Sequence, residues 1–317
     1  MTLHPWIRAS IICAQLVAGS PLFAQTGGQP DVKQDQQPAV SDLDRLIARY
    51  APLQEKRPYS GIDITRDLHY GPADRNLLDI FKPASPGAAL RPVLLFVHGG
   101  GFTGGERQFP HGLPFYDNVA VWAVRHGFVG VNMTYRLAPQ FTWPVGAEDV
   151  AAAVRYLASE IAGQGGDPKR IYVMGHSAGA VHVATYLAHS ELQGGHGAGV
   201  AGAILVSGTF DIARLPAGDR EKAYFGSDPA LYAERSSLRG LVAGSTRLLV
   251  VNAEHDPPMF LQQADELRTA LDQANKTSVS MLRLEGHSHM STVMSINTSD
   301  TALSGAIAAF IADEASH

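Results

Sequence analysis

Six short apolar runs, at residues 93–97, 128–133, 171–174, 203–206, 248–251 and 279–284, alternate with stretches of helical character at 116–126, 147–161, 178–192, 260–274 and 301–312. An uninterrupted apolar run has no polar face to turn to water, so as a strand it has to be covered on both sides. The intervening helices supply that cover if they wrap alternately over the two faces. Two more strands are expected ahead of the pattern, at 62–69 and 76–81, joined by Tyr70-Gly71-Pro72-Ala73-Asp74 as a hairpin-like opening. The predicted fold is therefore α/β: a mainly parallel, doubly wound sheet of about eight strands with helices on both faces. Residues 210–241 break the rhythm and are expected to form a small lid or rim insertion. Hydrophobic residues make up 45% of the 317 and charged residues 17%, which is enough apolar material for a core of that size.

The beginning of the chain follows a different logic. Arg8 supplies a positive start, residues 11–18 form a short, mostly apolar run, and Ser20-Pro21-Leu22-Phe23-Ala24 offers a cleavage point after Ala24. Residues 1–24 are expected to be a signal peptide, although Leu22 is bulkier than the small residue usual at that position. The run is far short of the roughly 20 residues that span a bilayer, so no stable membrane anchor is expected after cleavage. Export to the periplasm or the medium follows. Residues 25–40, rich in Gln, Gly, Asp and Pro without a hydrophobic period, are expected to be a flexible leader, and 41–317 a single catalytic domain. At the start of that domain Ser41 is placed to cap a helix with Leu43, Leu46, Ile47 and Tyr50 on one face, which must pack on the domain flank or on the rim of a site. The net charge of −5 comes without any basic block, which argues against nucleic acid and anionic membranes as partners. Cys13 is the sole cysteine and lies in the expected signal peptide, so the mature chain would have no disulfide, cysteine nucleophile or thiolate metal site.

Chemistry concentrates in four segments. Ile171-Tyr172-Val173-Met174-Gly175-His176-Ser177-Ala178-Gly179-Ala180 reads as a buried strand, a Gly-x-Ser-x-Gly turn and a helix. Glycines flank Ser177 because so sharp a turn strains the serine backbone and crowds its neighbours, lifting the hydroxyl clear of the sheet. After the run 93–97 comes His98-Gly99-Gly100-Gly101-Phe102, whose glycines let main-chain N–H groups converge on one point. A phosphate loop is the competing reading, but no Gly-Lys-Ser/Thr and no dinucleotide fingerprint follows. Gly100 and Gly101, with the N–H of Ala178, are the expected oxyanion donors, and His98 is expected to brace the loop. Asn252-Ala253-Glu254-His255-Asp256 places acids at a strand's carboxyl end, with Asp256 preferred over Glu254 as the group that orients a base. Gly286-His287-Ser288-His289 then supplies that base, His289 being preferred over His287. Two histidines one residue apart could instead bind a metal, but zinc needs further ligands and no His-Glu-x-x-His occurs, so no metal or cofactor is expected. His176 is expected to turn its ring away from the serine, and His182 and His189 to be core or surface residues. Phe102, Trp143, Phe210, Met259 and Phe260 are as suited to core packing as to lining a substrate pocket.

Together these segments resemble the carboxylesterases of the hormone-sensitive-lipase-like group within the α/β-hydrolase superfamily. Tyr135-Arg136-Leu137-Ala138-Pro139, Trp143-Pro144 and Asp149 are similar to that group's link after the fourth strand, and Leu78-Asp79-Ile80-Phe81-Lys82-Pro83 resembles the second strand of related small esterases. The resemblance covers about residues 62–312. It implies the α/β-hydrolase fold, with Ser177 as nucleophile, Asp256 as orienter, His289 as base, and Gly100, Gly101 and Ala178 at the oxyanion. The implied activity is hydrolysis of short- to medium-chain carboxylic esters through an acyl-enzyme, on a small-molecule ester and without a cofactor. Lipase-like members often have a longer helical N-terminal cap, whereas only 41–59 are available here, which implies a more open acyl pocket. An amidohydrolase of the kynurenine-formamidase-like type shares the same motifs. A non-catalytic receptor, as the gibberellin receptors of plants are, would be expected to lack the histidine that stands here at 289. Natural substrate, stereoselectivity and oligomeric state are not encoded in these motifs.

Overall fold

Successive side chains of a strand point to opposite faces of its sheet, so each apolar run contributes to two cores at once. The computed structural model describes residues 41–313 other than 86 and 196; the expected signal peptide and leader, 1–24 and 25–40, lie outside the described residues. The strands are β1 (Ile62–His69), β2 (Leu77–Pro83), β3 (Arg91–Val97), β4 (Val129–Met133), β5 (Gly166–His176), β6 (Gly202–Val206), β7 (Leu248–His255) and β8 (Val279–Ser288). They form one sheet in the order β1-β2-β4-β3-β5-β6-β7-β8. β2 pairs antiparallel with β1 and with β4, and every later pairing is parallel. The expected hairpin opening and the parallel, doubly wound remainder are both present.

The helices are α1 (Asp42–Tyr50), α2 (Asp117–Arg125), α3 (Val145–Glu160), α4 (Ala178–Ala188), α5 (Asp219–Phe225), α6 (Tyr232–Arg235), α7 (Leu238–Ala243), α8 (Pro258–Gln273), α9 (Ser291–Met294) and α10 (Ala302–Ala312). On one face of the sheet Val93, Leu95, Val173 and Leu205 pack with Val150, Val154 and Leu157 of α3, Val183 of α4 and Leu267 of α8. On the other, Leu94, Phe96, Tyr172 and Ile204 pack with Val119 and Trp122 of α2 and with Leu303 and Ile307 of α10. The alternation explains why the runs 93–97, 171–174, 203–206 and 248–251 show no polar positions. Residues 210–241, expected as an insertion, contain α5, α6 and most of α7. The side chain of Ser41 accepts from Asp44 N–H and caps α1. That helix buries Tyr50 against Phe115 and Met294, with Phe109 and Met290 at the margin. It therefore backs the rim rather than lying on a remote flank.

Two fully buried carboxylates tie the opening strands to the loop after β3. Arg66 on β1 donates to Asp79 of β2 at 2.7 Å and to Asp117 of α2 at 2.9 and 2.7 Å. Asp79 also accepts from Arg107 Nε at 2.9 Å and from Gln108 at 3.3 Å. Taking out one member of a buried ion network leaves charges without compensation, which typically costs about 3–5 kcal/mol. Asp79→Ala is accordingly expected to lower the urea-unfolding free energy by about 3 kcal/mol or more, and a loss of less than about 1 kcal/mol would show that the network contributes little.

Candidate active site

Strand register decides which loops meet. Val97 of β3 lies opposite Gly175 of β5, so the two loops leave the sheet side by side, and a Cβ placed on Gly99 would stand 3.1 Å from Ser177 Cβ. Ser177 itself has φ 55° and ψ −122°. Backbone strain of this kind costs on the order of 1–3 kcal/mol and persists only where the surroundings enforce it. Here they do. The Ser177 N–H donates to Val206 O at 2.9 Å, and α4 starts so close to β3 that a Cβ on Gly179 would fall 2.1 Å from Val97 O. Gly100, at φ +134°, allows the loop to fold on itself, since a Cβ there would lie 2.0 Å from Gly104 O.

β7 and β8 run past the apolar stretches that announce them. Beyond Val251 and Leu282 the ladder continues through Asn252↔Arg283 and Ala253↔Leu284 and, after an irregularity, His255↔Ser288. The next residue on each strand is Asp256 and His289. Asp256 Oδ1 meets His289 Nδ1 at 2.7 Å, while Oδ2 accepts from Ser207 Oγ at 2.7 Å and from Ala253 N–H at 2.8 Å. Burial pushes the Asp256 carboxyl upward, but hydrogen bonds from His289, Ser207 and Ala253 together outweigh it and hold the group below its ordinary range. An ionised Asp256 accepts, so His289 Nδ1 is the donor in this hydrogen bond.

The competing candidates are engaged elsewhere. His287 is buried between Ser291 Oγ at 3.3 Å and Asp300 at 3.2 Å, and Glu254 accepts from Gly286 N–H at 2.7 Å. His98 is buried, with Nδ1 2.6 Å from Gly99 O and Nε2 3.0 Å from Thr134 Oγ1. Its ring stacks on Tyr135 at 4.4 Å, which makes it a brace for the glycine loop, as expected. Burial takes it down to about 3, so it stays neutral. His176 differs from expectation. Its ring lines the cavity above Ser177 and approaches His289 to 4.9 Å, because Nε2 bonds to His289 O at 2.9 Å. Burial, followed by the neighbouring His289, lowers it to about 3. His182 is a buried core residue, and His189 lies beside Glu191 at 3.2 Å.

Ser177 and His289 open on two adjoining cavities. The larger, about 410 Å³, is bounded by Gly100, Gly101, Phe109, Tyr116, His176 and Met290. The smaller, about 260 Å³, is lined by Phe102, Ala178, Val181, Thr209, Met259 and Phe260. Three of the five undecided apolar residues thus line the site. Phe210 is buried in the core beneath α4, and Trp143 packs in the cluster around Tyr224. Ser207 went unnoticed in the sequence, although a polar residue directly after the apolar run 203–206 sits where a parallel strand ends.

Comparison with known proteins agrees with this geometry. The family model described as BD-FAE matches residues 78–203. Esterase LipQ of Mycobacterium tuberculosis is 30% identical over 246 residues, which cover 71% of this chain and 56% of that protein. The probable isoprenylcysteine alpha-carbonyl methylesterase ICMEL1 of Oryza sativa subsp. japonica is 31% identical over 224 residues, 69% of this chain and 47% of that one. The chain thus spans about half the length of these curated relatives. Among solved structures, a bacterial heroin esterase superposes with a TM-score of 0.64 at 25% identity, covering 85% of this chain and 88% of that one. Esterase B from Lactobacillus rhamnosis gives 0.68 at 19% identity, with coverages of 86% and 93%. The chain has the α/β-hydrolase fold of these esterase structures. Its sequence likeness is to proteins named as esterases.

The contacts around Asp256 carry a pH signature. A carboxyl whose folded pKa lies below its ordinary 3.8 stabilises the fold above that value, and the contribution disappears as pH falls through the folded pKa. The stability difference between wild type and Asp256→Asn, from urea unfolding at a series of pH values, is expected to be constant above about pH 5 and to shrink below about pH 4. A difference that grew on acidification would contradict the lowered carboxyl.

Proposed function

We propose that the protein is a serine hydrolase of carboxylic esters, with Ser177 as nucleophile, His289 as general base and Asp256 as the group that holds and charges against the imidazole. The observation that carries the reading is the convergence on one cavity of a backbone-strained serine and a histidine fixed at 2.7 Å by a buried carboxylate. His289 Nε2 takes the Ser177 proton as Oγ attacks the ester carbonyl. The N–H groups of Gly100, Gly101 and Ala178 receive the developing oxyanion, and the N-terminal end of α4 adds its dipole. The protonated imidazole then gives its proton to the leaving alcohol, and water repeats the sequence to free the acid. Neutral His176 steadies the His289 main chain without adding a competing charge. The apolar lining by Phe102, Val181, Met259 and Phe260 suits a short or medium acyl chain. The esterase names of the relatives support the same substrate class.

Ser177→Ala is expected to reduce turnover of p-nitrophenyl acetate and butyrate by about 10⁴-fold or more with an unchanged circular dichroism spectrum. His289→Ala should lose a similar factor and His287→Ala far less, since His287 faces Asp300. Equal losses in the two histidine variants would remove His289 from its role, and full activity in Ser177→Ala would remove the whole mechanism. A protonated imidazole cannot accept the serine proton, so activity should fall as pH is lowered.

We also propose that the chain is exported and that residues 41–317 are its catalytic unit. The charged start, the short apolar run and the small residue Ala24 support this. The prediction is that the mature protein from a periplasmic or secreted fraction starts at Gln25 or within a few residues of it; an intact Met1 in that protein would oppose processing.

A further inference from the structure

The two cavities share four residues: Gly101, Ser177, His289 and Arg220. The first three belong to the proposed chemistry. Arg220 does not. It lies in the first turn of α5, within the insertion, and reaches back over the glycine loop, so that a Cβ on Gly101 would fall 2.8 Å from its Cδ and 3.0 Å from its Nη1. It forms no hydrogen bond or ion pair with any described residue. The two carboxylates lining the cavities are already engaged: Glu106 binds Arg75 at 2.5 Å and Arg107 at 3.3 Å, and Glu221 accepts from Gly218 N–H at 3.1 Å. His176 is neutral. Arg220 is thus the one Arg or Lys lining either cavity among the described residues, with all of its donors unspent.

Exposed arginines without an ion pair occur elsewhere among the described residues, Arg155, Arg239 and Arg268 among them, but of these Arg220 alone borders the cavities at Ser177. A guanidinium left without a partner at a substrate cavity is suited to bind a carboxylate through its planar fork of donors. Resting on the proposed ester-hydrolase reading, we propose that Arg220 is a specificity-determining residue that binds a carboxylate on the substrate, so that the preferred substrates are esters carrying an anionic group. Because Arg220 borders both cavities, the carboxylate can sit on the acyl or on the alcohol side, and paired substrates separate the two.

The experiment compares monomethyl adipate with methyl hexanoate, which places the charge on the acyl side, and γ-acetoxybutyrate with butyl acetate, which places it on the alcohol side. In each pair a carboxylate replaces a terminal methyl group. Arg220→Gln is expected to lower kcat/KM for at least one anionic ester by about tenfold or more through KM, while its neutral partner changes by less than about twofold. Arg220→Lys should retain part of the preference. The side that loses it identifies the cavity in which the carboxylate lies. Equal losses on charged and neutral esters, chiefly in kcat, would make Arg220 a support of the glycine loop and overturn the inference, as would no loss in either pair. Binding of the same anionic esters to Ser177→Ala, followed by calorimetry with and without Arg220→Gln, reads recognition apart from turnover. Loss of binding in the double variant supports the inference, and unchanged binding or none in Ser177→Ala alone opposes it. Absence of turnover on all four esters in wild type would count against the hydrolase reading itself.

Discussion

The strained turn at Ser177 is the constraint to which most of the surrounding structure answers. A serine at φ 55° and ψ −122° relaxes unless its neighbours forbid it. They forbid it from three directions: β6 accepts its N–H, α4 is pressed onto β3 through Gly179, and the loop after β3 closes over it through Gly99. Each of these contacts requires the parallel ladder β3-β5-β6 to end in register. The buried, two-faced apolar runs hold that register, because a slip of one residue would exchange the side chains of the two cores. Hydrophobic burial far from the serine is therefore what keeps its hydroxyl clear of the sheet.

The second half of the site obeys the same rule with weaker material. Asp256 and His289 meet because β7 and β8 stay paired beyond their apolar stretches, through residues that are largely polar. Hydrogen bonding takes over there from packing. Ser207 and Ala253 hold one carboxylate oxygen of Asp256, leaving the other for His289, while His176 and the Thr292 hydroxyl, at 2.8 Å, hold the His289 carbonyl. Two residues adjacent in the chain, His176 and Ser177, thus serve opposite ends of the proposed reaction. One fixes the base and the other presents the nucleophile.

Much of this was legible in the residues alone, and the reason differs from element to element. The central strands announced themselves because burial on both faces leaves an unbroken apolar run, and Ser177 because glycines are required around so sharp a turn. The preference for Asp256 over Glu254, and for His289 over His287, rests on the resemblance to the esterase motifs and not on any local pattern that separates the members of each pair. The structural distinction is made by partners such as Asp300 and Gly286, which no local pattern reveals. The extensions of β7 and β8 were missed because Asn252-Ala253-Glu254-His255 carries no apolar alternation and its pairing is a property of two strands, not one. His176 was misjudged for a related reason. Its orientation depends on the carbonyl of a residue 113 positions away. The helix expected over 178–192 stops at Ala188 because His189 takes extended backbone angles, and a short 3₁₀ turn follows.

The site divides into parts that tolerate change differently. Everything assigned to bond making and breaking stands at the end of a strand in a single sheet, where a shift of one residue would move it out of reach. Arg220 stands on a short helix in the insertion, attached to the sheet by side-chain packing of Tyr224 and Phe225 around Phe102 rather than by a ladder. Residues on such segments can be exchanged without disturbing the register beneath them. A chain built this way can keep one acyl-transfer geometry while the charge at its mouth is altered independently. The proximity of the Arg220 side chain to Gly101 also makes that independence incomplete. A bulkier or differently directed residue at 220 would press on the loop whose N–H groups are proposed to receive the oxyanion, so substrate charge and oxyanion geometry are coupled through a single close contact.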